Sequence, residues 1–271
     1  MSNSNSVVNL SIKTGINSSI AMFGQITALM WLRTSTNYQY RHGFSFHTTL
    51  LKLYRDGGIV RFYRGYVPSV FMGSLCRFGD ITIYKFAELN ADKYGLSISE
   101  QSLLASMGSM LWRINLMPID TLDVMLQVEG KSGYKILKDK IKNDGIRVLY
   151  HGSTLWSISN LVGNFGWFMS YSVLNKYNIE YNNIDSNIRN ALLGFTCSSI
   201  SDLLTNPLRV LKLNRQSNTY SISYYDIYKN IVSNHGLLGL WSRGLFTRIC
   251  THGIQGSVFM VFWKLLENDS K

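Results

Sequence analysis

Several charged side chains stand inside apolar stretches of this chain. Arg113 lies between Trp112 and Ile114, five residues before Pro118, and Asp202 holds the matching place before Pro207. Arg77 and Asp80 fall within the apolar run from Val67 to Phe86, and Asn164 sits in the run from Leu155 to Leu174. A guanidinium at membrane depth must face protein or water, and it can hold a carboxylate or phosphate through two parallel hydrogen bonds. The chemistry on offer is ion pairing and anion binding. Catalysis is not indicated. Cys76, Cys197 and Cys250 lie at no metal-ligand spacing, the five histidines form no HExxH pattern, and no nucleophile–base spacing stands out. We expect no enzyme activity, no metal and no cofactor.

The elements that must position these groups announce themselves through repetition. Phe62-Tyr63-Arg64-Gly65 follows Asp56-Gly57-Gly58, Leu149-Tyr150-His151-Gly152 follows Asp144-Gly145, and Leu240-Trp241-Ser242-Arg243-Gly244 follows His235-Gly236. The last glycines are 87 and 92 residues apart. Upstream of each lies an amphipathic stretch with an aromatic start, at Phe46, Tyr134 and Tyr225. An apolar run follows each glycine: Val67 to Phe86, Leu155 to Leu174 and Leu245 to Leu266. Another precedes each amphipathic stretch, at about Ile16 to Leu32, Leu103 to Leu126 and Ile188 to Leu213. The three that follow the glycines are close to the ~20 residues that span a bilayer. We expect an all-α membrane protein with six transmembrane helices in three pseudo-symmetric two-helix repeats, 10–94, 98–179 and 186–267. A soluble α-helical array is the alternative.

Composition agrees with this outline. Of 271 residues, 46% are hydrophobic and 16% charged, against about 25% charged in a typical soluble domain. The net charge of +11 suits nucleic acid, anionic headgroups or an anionic small ligand, or it is ordinary solubilising charge. No nucleic-acid motif is present, so nucleic acid is not an expected partner. The N-terminus lacks the basic n-region of a secretory signal and the Arg-rich pattern of a transit peptide, which makes internal targeting the expectation.

Two segments carry a recognisable pattern. Pro118-Ile119-Asp120-Thr121-Leu122-Asp123 is followed by Gln127, and Pro207-Leu208-Arg209-Val210-Leu211-Lys212 by Gln216 at the same offset. With the threefold Gly element, this resembles the mitochondrial carrier family over about residues 10 to 267. Repeat one departs from it. The position matching the prolines is Ala28, with Met30 and Arg33 at the acidic and basic places. Pro118 and Pro207 are therefore expected to kink their helices, and the first helix to run straighter.

The resemblance implies a matrix-side gate in which the acid of one odd helix pairs with the base of the next. That rule pairs Asp120 with Lys212, sets Arg209 against Arg33, and sets Met30 opposite Asp123. Asp123 retains the option of reaching one of the arginines. The opposite gate would use Lys85, Glu88, Lys264 and Glu267, in reversed charge order, unless these are ordinary i,i+3 pairs. Family substrates sit seven or eight residues after each Gly, on Met72 and Gly73, Ser159 and Asn160, and Thr251 and His252. The expected solute site is Arg77, Asp80, Arg113, Asn160, Asn164, Asp202 and His252. An Arg113–Asp202 or Arg77–Asp80 bridge without a ligand role is the alternative.

The function implied is transport of a small anionic solute, such as a nucleotide, by alternating access. A transport-inactive receptor or scaffold derived from a carrier is the alternative. The expected setting is a monomer in the mitochondrial inner membrane, or a host's if the chain is viral. Lys131, Lys135, Lys138, Lys140 and Lys142 crowd one amphipathic stretch and suit anionic lipid such as cardiolipin.

Overall fold

The threefold glycine elements set the helix boundaries. Gly58, Gly145 and Gly236 take positive φ and interrupt or end the short helices, the role glycine plays after a helix C-terminus. Gly65, Gly152 and Gly244 also take positive φ, at 89°, 101° and 65°, just before each following helix. The computed structural model describes residues 2–95, 98–176 and 186–255. In order, the helices are α1 (Ser2–His42), α2 (Phe46–Phe62), α3 (Tyr66–Tyr94), α4 (Ile98–Asn115), α5 (Met117–Glu129), α6 (Gly133–Asp144), α7 (Ser153–Lys176), α8 (Ser186–Ser217), α9 (Tyr224–His235) and α10 (Leu238–Ser242). A further helix, α11, covers residues 245–255. The described residues contain no strand.

Local chemistry explains the short helices. Ser45 and Ser223 accept the Thr48 and Asp226 N–H groups and cap α2 and α9, satisfying donors that a helix start leaves open. Helix α1 runs unbroken for 41 residues. The two prolines behave differently. At Pro118 the helix is interrupted: Leu116 closes a tight turn onto Arg113, and Pro118 lies at the start of α5. At Pro207 the helical run continues, with the proline inside α8.

Helices α1, α5 and α8 touch pairwise, α1 packs on α3, and α7 packs on α8. Each glycine before a long helix presses on the next of the three central helices. A Cβ on Gly65 would meet Asp123 and Gln127 of α5, one on Gly152 would meet Lys212 and Gln216 of α8, and one on Gly244 would meet Tyr40 and Gln39 of α1. Glycine is thus required twice over, by conformation and by contact.

Apolar core clusters, such as Val124 with Val210 and Ile231, lie beside buried polar groups, and large apolar side chains are also exposed. Phe71, Leu111, Leu161, Phe165 and Phe246 are exposed, whereas Asp120, Asp123, Gln127, Asp202 and Gln216 are buried. Even so, no helix among the described residues is long and apolar enough to cross a membrane. The six apolar runs counted in the sequence carry Ser, Thr, Asn, Gly and a few charges, as helices around a polar cavity do.

Candidate functional site

Two features occupy the centre of the bundle: a closed layer where α1, α5 and α8 meet, and a cavity above it.

The layer is built from side chains one or two turns apart on the central helices. Lys212 Nζ donates to Asp120 Oδ2 at 2.7 Å, and Gln216 Nε2 donates to the same oxygen at 2.8 Å. These bonds tie α8 to α5. Arg33 Nη2 donates to Asp123 Oδ2 at 3.0 Å, tying α1 to α5. Asp123 is fully buried, and its second oxygen accepts from Ser69 and from Gln127, both at 2.5 Å. Gln127 in turn accepts from Asn37 of α1. The third link is not ionic. Asn214 of α8 donates to the Tyr40 carbonyl at 2.9 Å and accepts from Arg41 at 3.3 Å.

Family register set Arg33 against Arg209, and the structure corrects this. Arg33 turns to Asp123, and Arg209 turns back seven residues along its own helix to Asp202 at 2.5 Å. The reason is electrostatic. Two guanidiniums cannot share an apolar contact when each has a buried carboxylate within reach. Met30 takes no part in an ion pair and lies fully buried.

The cavity has a volume of about 440 Å³, within the ~300–1,000 Å³ of small-molecule sites. Its wall includes Arg33, Arg77, Asp80, Arg113, Asp120, Asn160, Arg209, Lys212, Arg248 and His252. On one side Arg113 grips Asp80 with two nitrogens, Nε at 2.9 Å and Nη2. Gly79 permits this geometry, because a Cβ there would collide with Trp112. Trp112 Nε1 donates to the Leu75 carbonyl at 2.8 Å, and Arg113 lies over the Trp156 ring at 5.2 Å. On the other side, Asp202 is 1% exposed and faces Arg209, Arg248 and His252. The Arg113–Asp202 bridge drawn from the sequence does not form. Arg113 pairs with Asp80 in its place, and Asp80 spends both oxygens on that guanidinium.

Two other expectations from the sequence change. Asn164 does not border the cavity: the α7 lining stops at Asn160, and the short amide one turn on is exposed. Lys140 does not face solvent or lipid. It is 2% exposed, and its ammonium donates to the carbonyls of Arg215, Gln216 and Asn218 at 3.0–3.3 Å. A cation at a helix C-terminus satisfies open acceptors and complements the helix dipole. Lys85 bonds Glu88 within α3 at 2.7 Å, an exposed i,i+3 pair. Lys264 and Glu267 lie outside the described residues.

Arg41, Asn214 and Arg248 were not found from the sequence. Arg248 carried the same signal as Arg113, a charge within an apolar run. Asn214 carried none, since an asparagine on a helix is unremarkable by type.

The sequence has known counterparts. The family model described as mitochondrial carrier protein matches residues 94–182 and 184–268, more than half of the chain. The chain belongs to the mitochondrial carrier family. This carrier is 28% identical to mitochondrial substrate carrier family protein E of Dictyostelium discoideum, over 54% of this chain and 55% of that protein. It is 26% identical to mitochondrial thiamine pyrophosphate carrier 1 of Candida albicans, over 74% of this chain and 71% of that protein. It is 26% identical to peroxisomal adenine nucleotide transporter 1 of Saccharomyces cerevisiae, over 55% of this chain and 56% of that protein. The carrier therefore spans about half the length of the first and third of these relatives. The stretches matched by the family model begin after the degenerate first pattern around Ala28.

Proposed function

We propose that this carrier moves a small, anionic, nucleotide-like solute across the mitochondrial inner membrane by alternating access. The observation that carries the reading is a cavity with more cations than acids on its wall, sealed at one end by paired charges. Relatives named for thiamine pyrophosphate and for adenine nucleotide, both phosphorylated compounds, point to the same solute class.

In this reading α1, α3, α4 with α5, α7, α8 and the helix begun by α11 are the six membrane helices, in repeats 10–94, 98–179 and 186–267. Their outward apolar residues face lipid and their charges face the cavity. The layer of Arg33, Asp120, Asp123, Lys212, Gln127 and Gln216 is the matrix gate. Solute in the cavity competes for these cations, weakens the layer and lets the opposite end close. Lys131, Lys135, Lys138 and Lys142, beside the start of α6, contact anionic lipid such as cardiolipin, and the carrier works as a monomer. A non-transporting scaffold would have little use for a gate in which every link is bonded.

The test is uptake into liposomes that contain the purified protein. Labelled nucleoside diphosphate should enter when unlabelled nucleotide is inside. No transport of nucleotides, carboxylates or amino acids would overturn the reading in favour of a receptor or scaffold.

A further inference from the structure

The four carboxylates around the cavity are not used alike. Asp80 is held by Arg113, Asp120 by Lys212 and Asp123 by Arg33. Asp202 faces three basic side chains at once. Its Oδ1 receives Arg209 Nη1 at 2.5 Å and lies 3.6 Å from Arg248 Nε, while its Oδ2 abuts His252 Nδ1. Arg248 Nε has no hydrogen-bond acceptor among the described residues. Arg209, Arg248 and His252 border the cavity, and Asp202 does not. One buried carboxylate thus stands behind two guanidiniums that reach the open volume.

We infer that Arg248 and Arg209 form a seat for the phosphoryl end of the transported solute, with Asp202 as the internal counter-ion that the solute displaces. The inference rests on the transport reading and narrows it to a substrate class. One carboxylate leaves the pair of guanidiniums with an uncompensated positive charge. Guanidinium donors match carboxylate and phosphate oxygens bidentately. A monocarboxylate would only duplicate the charge of Asp202. A phosphoryl group carries roughly −1.5 to −2 at pH 7, so it can outcompete Asp202 for both forks. The seat lies four residues after Gly244, one turn nearer the closed layer than the family's substrate position at Thr251 and His252. Arg209 is thereby reassigned from gate to substrate contact.

The experiment uses the purified full chain in detergent and in liposomes, with inorganic phosphate, a nucleoside diphosphate, its parent nucleoside and acetate as probes. Phosphate and the diphosphate should raise the thermal midpoint of the wild type, and the nucleoside and acetate should not. Arg248→Gln should weaken binding of the diphosphate at least tenfold. Asp202→Asn removes the competing carboxylate and should tighten it severalfold. Opposite shifts in affinity separate a ligand role from a structural one, because lost packing would lower stability in both variants without splitting their affinities. If Asp202→Asn does not fold, Arg248→Gln decides alone. Wild-type affinity in Arg248→Gln, or acetate binding as tightly as phosphate, overturns the seat. If the wild type transports nucleotide yet both variants bind it normally, the seat falls and the transport reading stands. If the wild type neither binds nor transports any anion, both fall.

Discussion

At Asp123 a single buried carboxylate is satisfied from three helices, by Arg33, Ser69 and Gln127. Such a group is stable only while all its partners remain. The same holds for Asp120 and Lys212, whose side chains are 11% and 13% exposed. Asp120→Asn should therefore lower stability by about 3–5 kcal/mol, because it strands a buried ammonium; thermal unfolding in detergent measures this, and an unchanged midpoint would remove the pair from the closing layer. His42, the last residue of α1, and His151, ahead of α7, lie beyond the apolar runs and give a pH prediction. Burial, with Arg41 next, pushes His42 down to about 4. Burial, with Arg215 next, does the same to His151. The unfolded chain binds these protons near pH 6.5 and the folded chain only near 4, so stability is full above the higher value and falls as pH drops towards the lower. Thermal midpoints of the wild type between about pH 7.5 and 4.5 should show this slope. The His42→Gln, His151→Gln double variant should flatten it, and an equally steep slope would refute the assignment. Residue chemistry was legible only in part. Register named the Asp120–Lys212 pair, but it could not tell which arginine Asp123 would reach, because that choice depends on side-chain paths across three helices.

Between elements, three basic side chains close a ring. Arg61 donates to the Gln127 and Val128 carbonyls at the end of α5, Lys140 to those at the end of α8, and Arg243 to the Arg41 carbonyl at the end of α1. Each repeat thus caps the central helix of the next. The caps stand four, twelve and one residues before the repeat glycine, so repetition in the sequence did not reveal them. Lys140→Met leaves three backbone acceptors without their donor and should cost about 1–3 kcal/mol. Loss of thermal stability with the helical circular dichroism retained is the expected result, and a neutral outcome would mean that water caps α8 equally well. The glycines, in contrast, were legible. Gly152→Ala should lower stability by about 1–3 kcal/mol, since φ is 101° and a Cβ would lie 2.8 Å from Lys212 Cγ. A midpoint matching the wild type would contradict that.

At the scale of the described bundle, large apolar side chains lie on the outside while several carboxylates and amides are buried beside the apolar core. Hydropathy averaged along a helix mixes the two faces, and that is why no single described helix reads as a span. Under the proposed transport reading the bundle would meet the membrane collectively, with its polar sides turned to the cavity. The protein should therefore stay with membranes after alkaline carbonate extraction; release into the supernatant would rule out an integral bundle.

The sequence by itself determined the family, the helical class and the places where the chain must turn. Those properties rest on local requirements: glycine at positive φ, proline at a helix start, and apolar runs between them. Only the tertiary structure decided how the charges pair. Arg209 left the gate for Asp202, Lys140 left the surface for a helix end, and Arg248 joined the cavity wall. A charged side chain several bonds long can reach partners on two or three helices, and the lowest-energy choice depends on which carboxylate is already neutralised. That is a property of the assembled bundle, and no spacing along the chain contains it.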